Sequence, residues 1–323
     1  MAMAMRTFLL CVFTWTFSLL LGACQSSESK EPMESYPNLP FPTMGGRQLW
    51  ADVNWFAGWR VQKNVWTGHC RLLDPDNMRR AWGRRPAVED ALFEAKQKRN
   101  LQLDGDHLVV LLHGLGRSRS SMAPMQVVLE SAGYEVMDVG YPSTRRSIAE
   151  HVGQLTSLLN QVAAHGEIEQ ISFVTHSLGG MVARAALAEE AQWQKEMAVH
   201  RLVMLAPPST GSAIAQSLKD FLPFQWFAGE AGQLLTLDEA NQIPLPSCDF
   251  GIIAGRRKPG KGYNPLLDGE DDGVVRVDET RLPGAEDFWL VPNSHTFIME
   301  DEAVMAGVVN YLRMGKFLSQ SQD

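Results

Sequence analysis

The chain has 323 residues, 45% hydrophobic and 20% charged, which is ample for one large or two ordinary domains with a packed core. Its 37 acidic residues outnumber 29 basic ones and no dense Lys/Arg stripe stands out. Nucleic acid is therefore excluded as the main partner, because such proteins need a concentrated cationic surface.

Residues 1–23 read as a secretory signal peptide. Arg6 precedes an uncharged apolar run from Phe8 to Leu21, too short to span a bilayer comfortably and ending in small residues. Residues 24–45 are polar and rich in Ser, Glu and Pro, the composition of a flexible tether. The remaining chain, 46–323, is read as one domain made of an N-terminal extension (46–104) and a core (105–318). Within the extension, "WRVQKNVWTGHCRLLD" (59–74) predicts a pair of antiparallel strands, followed by a helix near 86–99.

From residue 107 apolar runs alternate with helical stretches. "HLVVLLHG" (107–114) predicts a buried strand, 121–132 a helix and "YEVMDVGY" (134–141) the next strand. Ile148, Val152, Leu155, Leu158, Leu159 and Val162 recur at helical spacing within 147–166. Strand 168–177, helix 178–191, strands 199–208, 249–255 and 286–292, and a last helix over 300–318 complete the series. Such alternation predicts an α/β fold, a mainly parallel sheet with helices on both faces. An insertion around 207–248 interrupts it. Its Phe221, Phe224, Trp226 and Phe227 either form a lid or acyl-chain surface or pack the insertion onto the core.

In parallel sheets, sites form at the carboxyl ends of the strands. "ISFVTHSLGG" (171–180) places Ser177 there, between a strand and a helix. The nucleophile-elbow pattern Gly-x-Ser-x-Gly is matched except that Thr175 replaces the first glycine. A serine that only caps a helix is common, but capping would not call for Gly179 and Gly180 just after it. A serine hydroxyl needs a base to take its proton. Only His200 and His295 follow Ser177, and His200 sits at the start of a strand, the wrong end of the sheet. His295, just past the last strand, is the candidate base. The acid that orients it is expected in "LLDGEDDGVVRVDET", which offers Asp268, Glu270, Asp271, Asp272 and Asp278. An exposed acidic loop without a catalytic role is the alternative for this cluster.

Taken in order, these motifs resemble the α/β-hydrolase superfamily, close to bacterial lipases and esterases and to the inositol-deacylase-like lipases, over roughly 105–315. "DDGVV" resembles the acid loop of many such enzymes, in which the aspartate directly before the glycine serves. That implies Asp272, with Asp271 as runner-up. "LLHGLGRS" (111–118) resembles the lipase oxyanion loop, which implies backbone donors at Leu115 and, after the nucleophile, Leu178. His113 is expected to brace that loop, and His176 to point away from Ser177 as a structural residue. "LGAC" (21–24) resembles a bacterial lipobox, which implies acylation of Cys24. Gln25 in place of the usual Asp retention signal then implies the outer membrane, facing the periplasm.

The expected function is a serine ester hydrolase acting on lipid or other acyl esters at the cell envelope. It needs no cofactor and no metal, and no Cys/His cluster has zinc-site spacing. The rivals are an acyltransferase using the same residues and a non-catalytic envelope lipoprotein of the same fold. Once Cys11 leaves with the signal peptide and Cys24 is acylated, Cys70 and Cys248 remain, either as a disulfide or as two free thiols.

Overall fold

The computed structural model describes residues 48–211 and 240–317. The signal peptide, Cys24, the tether and the four aromatics at 221–227 lie outside these residues, as does most of the insertion. In chain order the first elements are β1 (Trp50–Phe56), β2 (Trp59–Asn64), β3 (Cys70–Leu73), β4 (Arg79–Gly83) and α1 (Arg85–Arg99). Next come β5 (His107–Leu112), a 3-10 turn leading into α2 (Ala123–Ser131), β6 (Glu135–Val139), α3 (Ile148–Ala163) and β7 (Gln170–His176). They are followed by α4 (Leu178–Ala188), α5 (Trp193–Glu196), β8 (Ala198–Leu205) and β9 (Asp249–Gly255). The last elements are α6 (Val277–Thr280), β10 (Asp287–Val291) and α7 (Glu302–Met314).

Six strands form one parallel sheet in the order β10-β9-β8-β7-β5-β6. Its strands alternate between two apolar layers, as period-2 side chains must. Leu108, Val110, Leu112, Phe173, Leu202 and Met204 face α3 and α4, whereas Val109, Leu111, Val174, Val203 and Leu205 face α2 and α7. The six apolar positions read from the α3 periodicity are all buried. Ser147 and Glu150 form a capping box at the start of α3, and Asp301 caps α7 by accepting from Val304 N–H at 3.0 Å. Chain order reverses at β5, which pairs with β6 on one side and β7 on the other. Crevices in parallel sheets open at such switch points.

The N-terminal extension is a four-stranded antiparallel sheet, β1-β2-β3-β4, where two strands were expected. Trp59, Val61, Cys70 and Leu72 on this sheet pack with Val88 and Leu92 of α1. Cys70 and Cys248 are both free thiols, the second of the two sequence readings. Cys70 is enclosed in the α1 cluster, and Cys248 packs against the separate layer over the main sheet. The disulfide is therefore absent.

Candidate active site

β7 ends at His176, and Ser177 sits on the turn into α4 with φ 52° and ψ −120°. A non-glycine residue there is strained by about 1–3 kcal/mol, so its surroundings must hold it. Ser177 N–H donates to Leu205 O at the end of β8 (2.9 Å), and Ser177 O accepts from Gly180 N–H (2.9 Å). The glycines are sterically required. A Cβ at Gly179 would lie 2.5 Å from Leu112 O of β5, and one at Gly114 would lie 2.8 Å from His176 Nδ1 and 3.1 Å from Ser177 Cβ. The His113-Gly114 loop therefore lies directly against the serine turn.

The loop after β9 carries Asp272, which is buried. Its Oδ1 accepts from Val274 N–H (2.9 Å) and Val275 N–H (2.7 Å), and its Oδ2 is 2.6 Å from His295 Nδ1. His295 follows β10, and its own N–H donates to Asp272 O at 2.8 Å. A Cβ at Gly255 would meet Asn293 O at 2.3 Å, so this glycine lets both loops close over the end of β9. The neighbouring Asp271 accepts instead from Tyr263, Asn264 and Gly273 N–H groups through Oδ1, and so shapes the loop. Asp268 and Asp278 are exposed, and Glu270 pairs with Arg256 at 2.8 Å.

His176 joins the serine turn to the histidine loop. It is buried, and its Nε2–H donates to His295 O at 3.0 Å, with ring centroids 4.7 Å apart. Burial holds its pKa well below the ordinary value, with the neighbouring His295 adding to the effect, so the ring is neutral at neutral pH. No hydrogen bond joins Ser177 Oγ to His295 among the described residues. Such contacts commonly tighten only when substrate is bound. His200 packs on His107 at the amino ends of the strands, remote from this cluster.

His113 is fully enclosed, stacks on Tyr141 at 4.1 Å and donates from Nδ1 to Gly114 O (2.9 Å). Burial pushes its pKa down to about 4, so it braces the loop as a neutral ring. Leu178 N–H lies at the first helical position, where no intrahelical acceptor exists. On the loops that carry Asp272 and His295, Leu266, Val274 and Phe297 are 90%, 40% and 58% exposed. On the other side, Arg184 of α4 donates to Ser209 O (3.1 Å), Ile243 O (2.6 Å) and Pro244 O (3.3 Å). It thereby holds both described stems of the insertion, a role that no local motif announces. Among the described residues, no group of three or more His, Cys, Asp or Glu is placed to hold a metal.

Residues 102–234 match the family described as "Putative serine esterase (DUF676)". The mature form of Bacillus licheniformis lipase BlEst2 superimposes with a TM-score of 0.51 and 18% identity, covering 65% of this chain and 91% of that one. Its propeptide form gives a TM-score of 0.54 and 19% identity, covering 67% of this chain and 52% of that one. No curated protein matches the sequence. The architecture is that of the α/β-hydrolase fold, and the matched stretch, residues 102–234, is similar to an ester hydrolase of the serine type.

Proposed function

We propose that the protein is a serine ester hydrolase in which Ser177 is the nucleophile, His295 the base and Asp272 the orienting acid. The observation that carries this reading is the pairing of partly exposed His295 with buried Asp272, 2.6 Å apart, at the same end of the sheet as the strained Ser177 turn. A carboxylate on Nδ1 fixes the tautomer that leaves Nε2 free to accept a proton. Ser177 Oγ attacks the ester carbonyl as His295 takes its proton, giving a tetrahedral oxyanion. The N–H groups of Leu115 and Leu178 receive that charge. Return of the proton from His295 to the alkoxide expels the alcohol. Water, activated by the same histidine, then releases the acyl group and restores Ser177. Every group required belongs to the chain itself.

The exposed Leu266, Val274 and Phe297 lie on the loops that carry Asp272 and His295, which supports an acyl-chain ester as substrate. Acylation at Cys24 and attachment to the outer membrane complete the proposal. The test is fluorophosphonate labelling of the full-length protein, with a chain-length series of nitrophenyl esters. Wild type should label and Ser177→Ala should not, and turnover should rise with chain length. Labelling should follow the membrane fraction and become soluble in Cys24→Ser. Persistent labelling of Ser177→Ala rejects the nucleophile, and activity confined to acetate and butyrate rejects the lipid reading.

A further inference from the structure

We propose that Gln48 is a positioning residue for the oxyanion loop, supplied by the N-terminal extension from outside the catalytic core; this rests on the serine-hydrolase reading above. Gln48 lies two residues before the first residue of β1. Its Nε2 donates to Arg117 O (2.7 Å) and to Ser143 Oγ (3.1 Å), and its Oε1 accepts from Thr144 N–H (2.9 Å) and Thr144 Oγ1 (2.9 Å). A primary amide has two N–H donors and one carbonyl with two lone pairs, so all its capacity is used. The partners lie 69 to 96 residues away in the sequence, on the loops after β5 and β6.

These contacts decide which backbone donor the loop presents. Fully buried Ser143 accepts from Gly116 N–H through Oγ at 3.1 Å. Arg117 N–H closes onto Gly114 O at 3.2 Å. Of the three N–H groups over residues 115–117, only that of Leu115 has no acceptor among the described residues. Gln48 holds Ser143 and the Arg117 carbonyl, and therefore fixes the peptides that follow that donor. Arg117 also reaches across the mouth to donate to Thr296 O, beside His295. The loop that Gln48 anchors thus touches both the serine turn and the histidine loop.

The antiparallel sheet is itself fixed to this region. Asp52 Oδ2 accepts from Gly140 N–H (2.7 Å), Asp52 N–H donates to Gly140 O (2.9 Å), and Gln154 donates to both Asp52 O and Gly140 O. The extension therefore acts as an outer wall that sets the loops over residues 113–117 and 140–144.

Loss of a direct oxyanion donor lowers kcat by about 10²–10³, so loosening such a donor from one residue away should cost about tenfold. The test uses full-length protein with active sites counted by fluorophosphonate titration. Gln48→Met keeps the length of the side chain and removes its hydrogen bonds to Arg117, Ser143 and Thr144. Ser143→Ala removes only the acceptor of Gly116 and leaves the Arg117 and Thr144 contacts of Gln48. The readouts are kcat, KM and inhibition by a trifluoromethyl ketone, whose hemiketal oxyanion occupies the same donors. The expected result for Gln48→Met is kcat down about tenfold, KM within about twofold, and the inhibition constant raised in parallel with the loss of kcat. Ser143→Ala should move the same quantities less, and the loss in the double variant should fall short of the sum of the two because both weaken the hold on Gly116. If Gln48→Met does not fold, Ser143→Ala carries the test by itself. Wild-type kcat and inhibition in the folded variants, or a raised KM with unchanged kcat, overturn the proposal. Absence of hydrolysis in wild type, or its survival in Ser177→Ala, overturns the serine-hydrolase reading as well.

Discussion

Thr175 occupies the position where the elbow pattern has a glycine, and its surroundings show how the chain accommodates it. The side chain is fully buried, and its Oγ1 donates to Val203 O at 3.3 Å. A Cβ on Gly180 would lie 3.4 Å from that oxygen, so the second glycine of "LGG" packs beside the threonine. Asp272 admits a sharper test. In Asp272→Asn, Oδ1 can keep the Val274 and Val275 N–H groups, which turns the amide –NH₂ toward His295 Nδ1. The imidazole proton must then sit on Nε2, and the ring cannot accept from Ser177. We expect kcat to fall by about 10³–10⁴ with the unfolding midpoint little changed; steady-state kinetics beside a urea melt check this, and a loss below tenfold would exclude Asp272 as the orienting acid. The placement of Ser177, Asp272 and His295 at the strand ends was legible because each lies in a short string of residues where local pattern suffices. Gln48, Ser143, Arg184 and the His176–His295 contact were not, since each acts through a partner that only the tertiary fold brings near.

The elements join through a buried ionic network rather than through apolar surface alone. Arg60 of β2 pairs with Asp52 of β1 (3.2 Å) and with Asp138 of β6 (2.5 Å), and the second oxygen of Asp138 takes Arg119. Burial opposes the charge on Asp138, but the two guanidiniums outweigh it and hold the carboxyl below its ordinary pKa. Asp138→Asn would leave Arg60 with Asp52 alone and take from enclosed Arg119 its ion-pair partner. Breaking a buried pair on one side costs about 3–5 kcal/mol, and we expect that loss in the urea unfolding free energy. A loss under 1 kcal/mol would mean that water reaches the network. This junction also explains what could be read of the fold. The parallel core was legible because its strands and α3 follow clean periods of 2 and 3.6. In the extension, β2 and β3 were visible, whereas β1 and β4 were not. A bulge between Asp52 and Asn54 breaks the alternation of β1, and "RRAWG" of β4 buries no residue fully. The single turns α5 and α6 are too short to show a period.

Across the whole molecule, burial suppresses the charge of several histidines, and this sets how stability responds to pH. Burial pushes His113 and His151 down to about 4 and His176 well below its ordinary value; the partly exposed His107 is also lowered to about 4. In the unfolded chain the same groups titrate near about 6.5. Between about pH 6.5 and 4 the unfolded state therefore binds more protons than the folded one, so stability falls as the pH drops through this window. Above about 6.5 both states are neutral at these sites and the contribution is present in full. Each fully buried histidine can add a slope of up to about 1.4 kcal/mol per pH unit. Glu135 works in the opposite direction, because burial raises its pKa, but it is one group against several. Depressed carboxylates such as Asp138 add their loss only at lower pH. Urea unfolding at pH 7.5, 6.5, 5.5 and 4.5 should give a plateau down to about 6.5 and a steepening decline below it. His113→Phe, which keeps an aromatic ring against Tyr141, should remove one histidine's share of that slope. A stability that stays level down to pH 5 would show that these rings are protonated in the folded protein, and would remove the neutral His113 and His176 that hold the oxyanion loop and the His295 backbone in place.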